Sequence, residues 1–258
     1  MKSESEIKFA STNPGPSLPA VVAISSACDL LLEGEIKSCD FLFSGSNDVF
    51  LVTLVRDKME IKVIYKPRRG EAPLWDFPDG TLYSREYAAF LVSQALEWYL
   101  IPPTVIREGP FGIGSMQWFV DTVNGSKPYS QLVWEPSILK RVALFDYLVN
   151  NADRKRGHFL EGKDGRLWVV DHGLTFNVVP KLRTVLWDFS GQAVPEGLLA
   201  DVKALQDKLS GEKRLRRELL RLLDPAEVEA LEFRIKKIIE RPVFTSPGAR
   251  RSVPWPWI

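Results

Sequence analysis

Two short stretches of this 258-residue chain bring chemically capable side chains close together. The first is Asn150-Asn151-Ala152-Asp153-Arg154-Lys155-Arg156-Gly157-His158, where five ionisable side chains fill the six positions from Asp153 to His158. A carboxylate such as Asp153 can accept the proton of an attacking hydroxyl. An imidazole five positions on can offer a lone pair to a metal ion or bond a nearby carbonyl. The second stretch is Leu167-Trp168-Val169-Val170-Asp171-His172-Gly173. Here a carboxylate closes an apolar strand, a stiff place for a metal ligand, and the glycine lets the backbone turn away. Taken singly, the first stretch also reads as a solvated helix-end loop and the second as an ordinary strand entering a turn. Both histidines of the chain fall in these stretches, and Asp171 follows Asp153 by 18 positions.

That order resembles the protein-kinase plan: a catalytic Asp, a metal ligand five residues on, a short hairpin, then a metal-binding Asp before Gly. The Asp153-Arg154 pair and the Asp171-His172-Gly173 triplet resemble the phosphatidylinositol 3-/4-kinase variant more closely. Such a plan also needs a phosphate-gripping Lys on a strand and a Glu on the following helix. Ile61–Lys66 supplies the strand. Lys62 and Lys66 share one strand face, so either can point inward; Lys66-Pro67 matches the lipid-kinase-like pattern better. Glu86 lies twenty positions after Lys66, where a first-turn acid also complements the helix dipole. The turn Ser44-Gly45-Ser46-Asn47-Asp48 is placed like a phosphate-covering loop, and Met116–Asp121 like the hinge that lines an adenine pocket, with Phe119 or Val120 supplying backbone contacts.

The surrounding pattern predicts the elements that must hold these residues. Serines at 25 and 26 open a short helix over 25–35. Asp40–Phe43, Val49–Val55 and Ile61–Tyr65 read as an antiparallel meander with hairpin-sized connections. A helix over 84–98 is expected, with Ser84 as N-cap, with Tyr87, Leu91, Ala95 and Trp98 on one face, and with Pro102-Pro103 as its stop. Val105–Arg107 and Met116–Asp121 add two strands. Pro136 starts a helix to about Asn150, with Ile138, Val142, Phe145 and Val149 on one face. Two short strands, Phe159-Leu160 and Leu167–Val170, precede amphipathic helices over 197–209, 212–223 and 225–240. The expected fold is α+β and two-lobed, and the resemblance implies that it is protein-kinase-like. It divides into a disordered segment 1–20, an N-lobe 21–122 of antiparallel sheet plus one helix, a mostly helical C-lobe 123–240, and a Pro/Trp-rich segment 241–258.

Composition is ordinary for a globular chain: 45% hydrophobic and 26% charged residues. Lys+Arg 34 against Asp+Glu 33 leaves +1, which gives no electrostatic case for nucleic acid. Only Cys28 and Cys39 are present, which points to a reducing compartment and a cytoplasmic location. No signal peptide is expected, and no apolar run approaches the roughly 18–20 residues that span a bilayer.

Pro73-Leu74-Trp75-Asp76-Phe77-Pro78-Asp79-Gly80-Thr81, Asp171-His172-Gly173-Leu174-Thr175-Phe176 and Pro254-Trp255-Pro256-Trp257 resemble a bacterial, mainly actinobacterial, kinase-like family distantly related to phosphatidylinositol kinases. The resemblance implies an ATP-dependent phosphotransferase using Mg²⁺ or Mn²⁺. Ser46, Asn47, Lys66, Glu86, Phe119 and Val120 would serve ATP, with Glu86 orienting Lys66. His158 and Asp171 would hold metal. Asp153 would act on the acceptor hydroxyl, and Arg154 would stabilise transferring phosphate or pair with a carboxylate. The departure is His158 where an Asn is expected, which favours Mn²⁺ or softer ions and keeps two other readings open: an inactive nucleotide-binding module, and nucleotidyl transfer. The acceptor is left open among protein, lipid and small molecule. Arg250, Arg251, Trp255 and Trp257 suggest either a membrane anchor or a segment packed across the protein.

Overall fold

The computed structural model describes residues 24–44, 46–123, 134–248 and 251–255. The segment 1–20, expected to be disordered, lies outside them. The described residues group into two compact units, one drawn from 24–83, 101–123 and 160–168, the other from 84–100, 134–159 and 169–255. The cut expected between 122 and 123 therefore differs from how the contacts group. Most of the helix before the glycine-rich hairpin belongs with the later helices, and the hairpin tip 160–168 with the sheet.

The first unit is built on five antiparallel strands in the order β1-β2-β3-β5-β4: β1 (Glu35–Ser44), β2 (Asp48–Arg56), β3 (Met59–Pro67), β4 (Thr104–Gly109) and β5 (Gly112–Trp118). Helix α1 (Ile24–Glu33) packs on β2, β4 and β5. Ala27, Leu30 and Leu31 join Val52, Leu54, Val63, Tyr65, Val105, Met116, Trp118 and Trp168 in one core. Cys28 and Cys39 are free thiols packed against it, and burial pushes the Cys28 thiol up to about 11. Alternation along β3 sends Val63 and Tyr65 into this core. Lys62, Ile64 and Lys66 are thereby placed on the opposite face.

The β2–β3 connection is two residues, Asp57 and Lys58, both with positive φ (50° and 67°), between the paired Arg56 and Met59. This is the hairpin geometry that favours Asp-Gly. Lys58→Gly is expected to stabilise the protein by about 0.5–1 kcal/mol, because a side chain at positive φ costs about 1–2 kcal/mol against a smaller entropic cost for glycine. An unchanged denaturant midpoint would count against that.

Helix α2 (Leu82–Ala95) starts two residues before the expected cap. Ser84 lies inside the helix, buried, donating its hydroxyl to the Leu222 carbonyl at 3.0 Å. The cap comes from outside the helix: the Glu71 carboxylate accepts from Leu82 N–H at 3.0 Å and Tyr83 N–H at 2.7 Å. The face expected to be apolar is also displaced. Arg85, Glu86, Ala88, Ala89, Val92 and Ser93 are buried, whereas Tyr87, Leu91 and Ala95 are half-exposed. The helix ends well before Pro102, in a left-handed turn at Glu97 (φ 59°) with Trp98 N–H donating to Ser93 carbonyl.

In the second unit, α3 (Pro136–Leu148) packs on α6 (Pro225–Glu240), which also packs on α4 (Glu196–Leu209); α5 (Arg214–Leu219) packs on α4. Asp224 and Glu227 form a reciprocal cap on α6, with Pro225 in its first turn. Arg85 ties α2 into this unit, donating to Glu227 and to the Thr175 carbonyl, both at 2.7 Å. The short strands β6 (Phe159–Glu161) and β7 (Leu167–Val169) form the hairpin between the two motif stretches. Among the described residues no helix is long and apolar enough to cross a membrane.

Candidate active site

Asn150, with φ 53°, turns the chain out of α3. Its amide nitrogen donates to the carbonyls of Asn177 and Val179 at 2.7 and 2.8 Å, and its oxygen accepts from Lys181 N–H at 2.8 Å. One side chain thus fixes the loop 150–158 and the segment after Gly173 against each other. Ala152 N–H to Leu174 carbonyl and Arg183 N–H to Asn151 carbonyl, both 2.9 Å, reinforce this.

Beneath the loop lies Asp146, fully buried on α3. It accepts from Arg154 Nε at 3.0 and 3.1 Å, from Arg154 Nη2 at 3.0 Å and from Asn151 Nδ2 at 2.9 Å. Arg154 is also fully buried. Its remaining donors reach the Val170 carbonyl at 2.8 Å and His172 Nε2 at 2.6 Å. Of the two roles expected for Arg154, the structure therefore shows the carboxylate pair, not a guanidinium open to a transferring phosphate. A guanidinium only donates, so His172 Nε2 accepts and the neutral ring carries its proton on Nδ1. The His172 N–H in turn donates to Glu86 Oε2 at 2.8 Å. A continuous chain of hydrogen bonds runs from Glu86 on α2 through His172 and Arg154 to Asp146 on α3.

Above this buried layer stand the two candidate reactive carboxylates. Asp153 is 24% exposed; its N–H donates to Asn151 Oδ1 at 3.0 Å and its carboxylate pairs with Lys155 Nζ at 3.0 Å. Burial pushes the Asp153 carboxyl above its usual range, and the negative charge of Asp171 adds to the rise. Lys155 and the Arg183 charge pull the other way. Asp171 is 50% exposed and sits at φ 62°, a backbone position costly for a side chain and concentrated at functional sites. His158 Nε2 lies 3.3 Å from Asp171 Oδ2.

His158 has a neighbour at each ring nitrogen. Lys155 N–H donates to His158 Nδ1 at 3.4 Å, so Nδ1 accepts and the proton of the neutral ring sits on Nε2, facing Asp171. In this arrangement His158 holds the Asp171 carboxylate and does not present a lone pair beside it. Among the described residues no group of three or more His, Cys, Asp and Glu gathers. The half-exposed Asp171 nevertheless fits a hard divalent cation, provided that most other ligands come from phosphate oxygens.

The expected ATP residues of the first unit have the following surroundings. Lys66 is half-buried and opposite Ser115; Lys62 is exposed and opposite Thr53. Asn47 accepts the Ala72 N–H at 2.8 Å through its side-chain oxygen, and Ser46 is exposed; Gly45 lies outside the described residues. Strand β5 stops at Trp118, short of Asp121. The Phe119 N–H donates to the Lys62 carbonyl at 3.1 Å, which commits it to the sheet, and Val120 packs against the core.

No protein-family model matches the chain. Over 262 residues it is 38% identical to protein Rv2133c of Mycobacterium tuberculosis, covering 88% of this chain and 94% of that one. The chain belongs to the family of Rv2133c. The Rv2133c-family fold seen here is also that of solved kinase-like structures. It is similar to hydra Fam20 with sugar (TM-score 0.54, 16% identity, 85% of this chain and 88% of that one). It is similar to the Golgi casein kinase with Mn/ADP bound (0.50, 16%, 84% and 75%) and to the Helicobacter pylori proinflammatory kinase CtkA (0.50, 13%, 83% and 94%). These likenesses show a kinase-like fold.

Three participants escaped the motif reading. Asp146 carried a signal, since it lies four positions after Val142 and so falls within the apolar phase of α3. His172 looked like the spacer of Asp-x-Gly, and Asn150 like a helix-end polar residue. Neither sequence position reveals a partner dozens of residues away.

Proposed function

We propose that this chain is an ATP- and divalent-metal-dependent phosphotransferase of the phosphatidylinositol-kinase-like superfamily, acting on an acceptor hydroxyl. The observation that carries this reading is the buried chain Glu86–His172–Arg154–Asp146 lying beneath two partly exposed carboxylates, Asp153 and Asp171. Phosphoryl transfer asks a protein mainly for positioning and electrostatics, and this network is a positioning device. The Mn/ADP-bound state of the Golgi casein kinase supports the same use of the fold.

In this reading Lys66 serves the ATP phosphates from the first unit, with Asn47, Ser46 and the Phe119–Val120 backbone around the nucleotide. Glu86 holds the His172 backbone and so places Asp171. Asp171 would hold the divalent ion, which when bound neutralises phosphate charge. His158 orients the Asp171 carboxylate through Nε2–H. Asp153 accepts the proton of the acceptor hydroxyl, with its raised pKa bringing it nearer neutrality. Arg154 positions both loops.

Incubation with labelled ATP and Mg²⁺ or Mn²⁺ tests the reading. ADP release with label passing to an acceptor supports it. Pyrophosphate release would move it to nucleotidyl transfer, and nucleotide binding without either product to an inactive module.

His158 gives a sharper test. If it orients Asp171, His158→Asn keeps a donor and leaves the Mn²⁺/Mg²⁺ ratio unchanged, while His158→Ala weakens metal-dependent ATP binding by about 10–100-fold. A ratio that shifts toward Mg²⁺ in His158→Asn would make the imidazole a direct ligand.

Turnover should also fall as pH drops through the raised Asp153 pKa, because only the carboxylate accepts a proton. Lys155→Met removes the group that most opposes the rise. The acid limb of the pH–rate profile is therefore expected at higher pH in that variant, and a limb that stays put or moves down would exclude Asp153 as its source.

A further inference from the structure

The segment that follows α6 doubles back along the chain leading out of the Asp171 loop. Gly191 N–H donates to Phe244 carbonyl at 3.0 Å, Phe244 N–H to Gln192 carbonyl at 2.9 Å, and Val194 N–H to Pro242 carbonyl at 2.8 Å. Further along, the Ser252 carbonyl accepts two hydrogen bonds, from Thr184 N–H at 3.0 Å and from Trp187 Nε1–H at 2.9 Å. Pro254 is buried, and Arg251 donates to the Val253 carbonyl at 3.1 Å while lying over the Trp255 ring. The Pro/Trp segment thus packs across the protein, the second of the two roles expected for it, within its described residues 251–255.

What matters is where it packs. Thr184 forms a parallel bridge with Arg154, and Arg154 N–H donates to the Arg183 carbonyl at 2.9 Å. Three backbone tracks therefore run side by side: the Asp153-Arg154 loop, then Arg183-Thr184, then Ser252. At about 4.8 Å per step, the Ser252 backbone stands about 10 Å from that of Arg154. It is close to the proposed reaction site.

We propose that Thr184 N–H and Trp187 Nε1–H form the track that holds an extended polypeptide acceptor, and that residues 251–255 occupy this track as an intrasteric strap. This rests on the phosphotransferase reading and narrows its acceptor to a protein. Two donors converging on one main-chain carbonyl recognise an extended backbone, as in strand addition. A lipid headgroup or small metabolite has no main-chain carbonyl of this kind to offer. Bound there, the strap blocks the track.

The test uses the full chain with a site-specific protease sequence inserted between Pro247 and Gly248, so that it folds with the strap in place and is cut afterwards. ATP–Mn²⁺ affinity is measured by calorimetry, and label transfer to casein and histone before and after cutting. Cutting is expected to raise transfer about 5-fold or more with ATP affinity unchanged. An added peptide of residues 249–258 is expected to restore inhibition in competition with the acceptor protein and not with ATP. In the cut protein, Trp187→Phe is expected to raise the acceptor KM while kcat holds. Equal transfer before and after cutting, whether high or zero, with ATP binding intact, overturns the strap alone. Absence of ATP binding in both forms overturns the phosphotransferase reading and the strap with it.

Discussion

Arg154→Met is expected to destabilise the protein by about 3–5 kcal/mol, seen as a fall in melting temperature of about 10 °C or more. Arg154 and Asp146 are each 0% exposed. Removing the guanidinium leaves the Asp146 carboxylate as a buried charge with only Asn151 Nδ2 to satisfy it, and strips partners from the Val170 carbonyl and His172 Nε2. Asp146→Leu is expected to cost a similar amount, since it strands the guanidinium instead. The double variant Asp146→Leu/Arg154→Met removes both charges together. It is expected to recover most of the loss, because buried ion pairs gain little over well-packed apolar residues once neither charge is stranded. If the single variants lose under about 1 kcal/mol, the network does not close as described. If the double variant is as unstable as either single, the pair contributes through geometry that apolar side chains cannot replace.

The second large effect is on turnover. Asp153→Asn is expected to keep ATP binding and lower phosphoryl transfer by about 10²–10⁴-fold, the usual contribution of a positioned general base. The amide matches the carboxylate in size but accepts no proton. Because Asp153 is partly exposed and pairs with Lys155 at the rim, the fold should survive, and an unchanged melting temperature checks this. Asp171→Ala is expected to behave differently, losing metal-dependent ATP binding itself. The contrast separates the two carboxylates: a variant at 153 that loses ATP binding, or one at 171 that retains metal-ATP affinity, would exchange or cancel the assigned roles.

Much of the scaffold was readable in the sequence because local rules governed it. The meander of β1, β2 and β3 follows from alternation and two tight connections. Helix α6 spans the expected 225–240, where Pro225 and the Asp224–Glu227 cap act within one turn. The spacing from Asp153 to Asp171 pointed to one loop–hairpin–loop unit, and the structure brings Asp171 to His158 through the β6–β7 hairpin.

What the sequence by itself could not determine was partner choice for buried polar groups, since those partners lie far along the chain. Ser84 reads as a cap, but Glu71 already satisfies the first N–H groups of α2, which leaves Ser84 to bond a carbonyl 138 residues away. The buried face of α2 carries Arg85 and Glu86, so its apolar periodicity is weak and misleads. Burial of those charges is tolerable because partners meet them, Glu227, Thr175 and the His172 backbone among these. Arg154 looked suited to phosphate or carboxylate, and only the tertiary structure decided, by placing a buried Asp146 two residues before the end of α3. The tautomer of His158 was decided in the same way, by the Lys155 N–H three residues before it. The sequence by itself determined which residue types meet in the two motif loops. Only folding decided which of them face solvent and which are consumed inside, because desolvation favours those packings in which buried donors and acceptors meet partners.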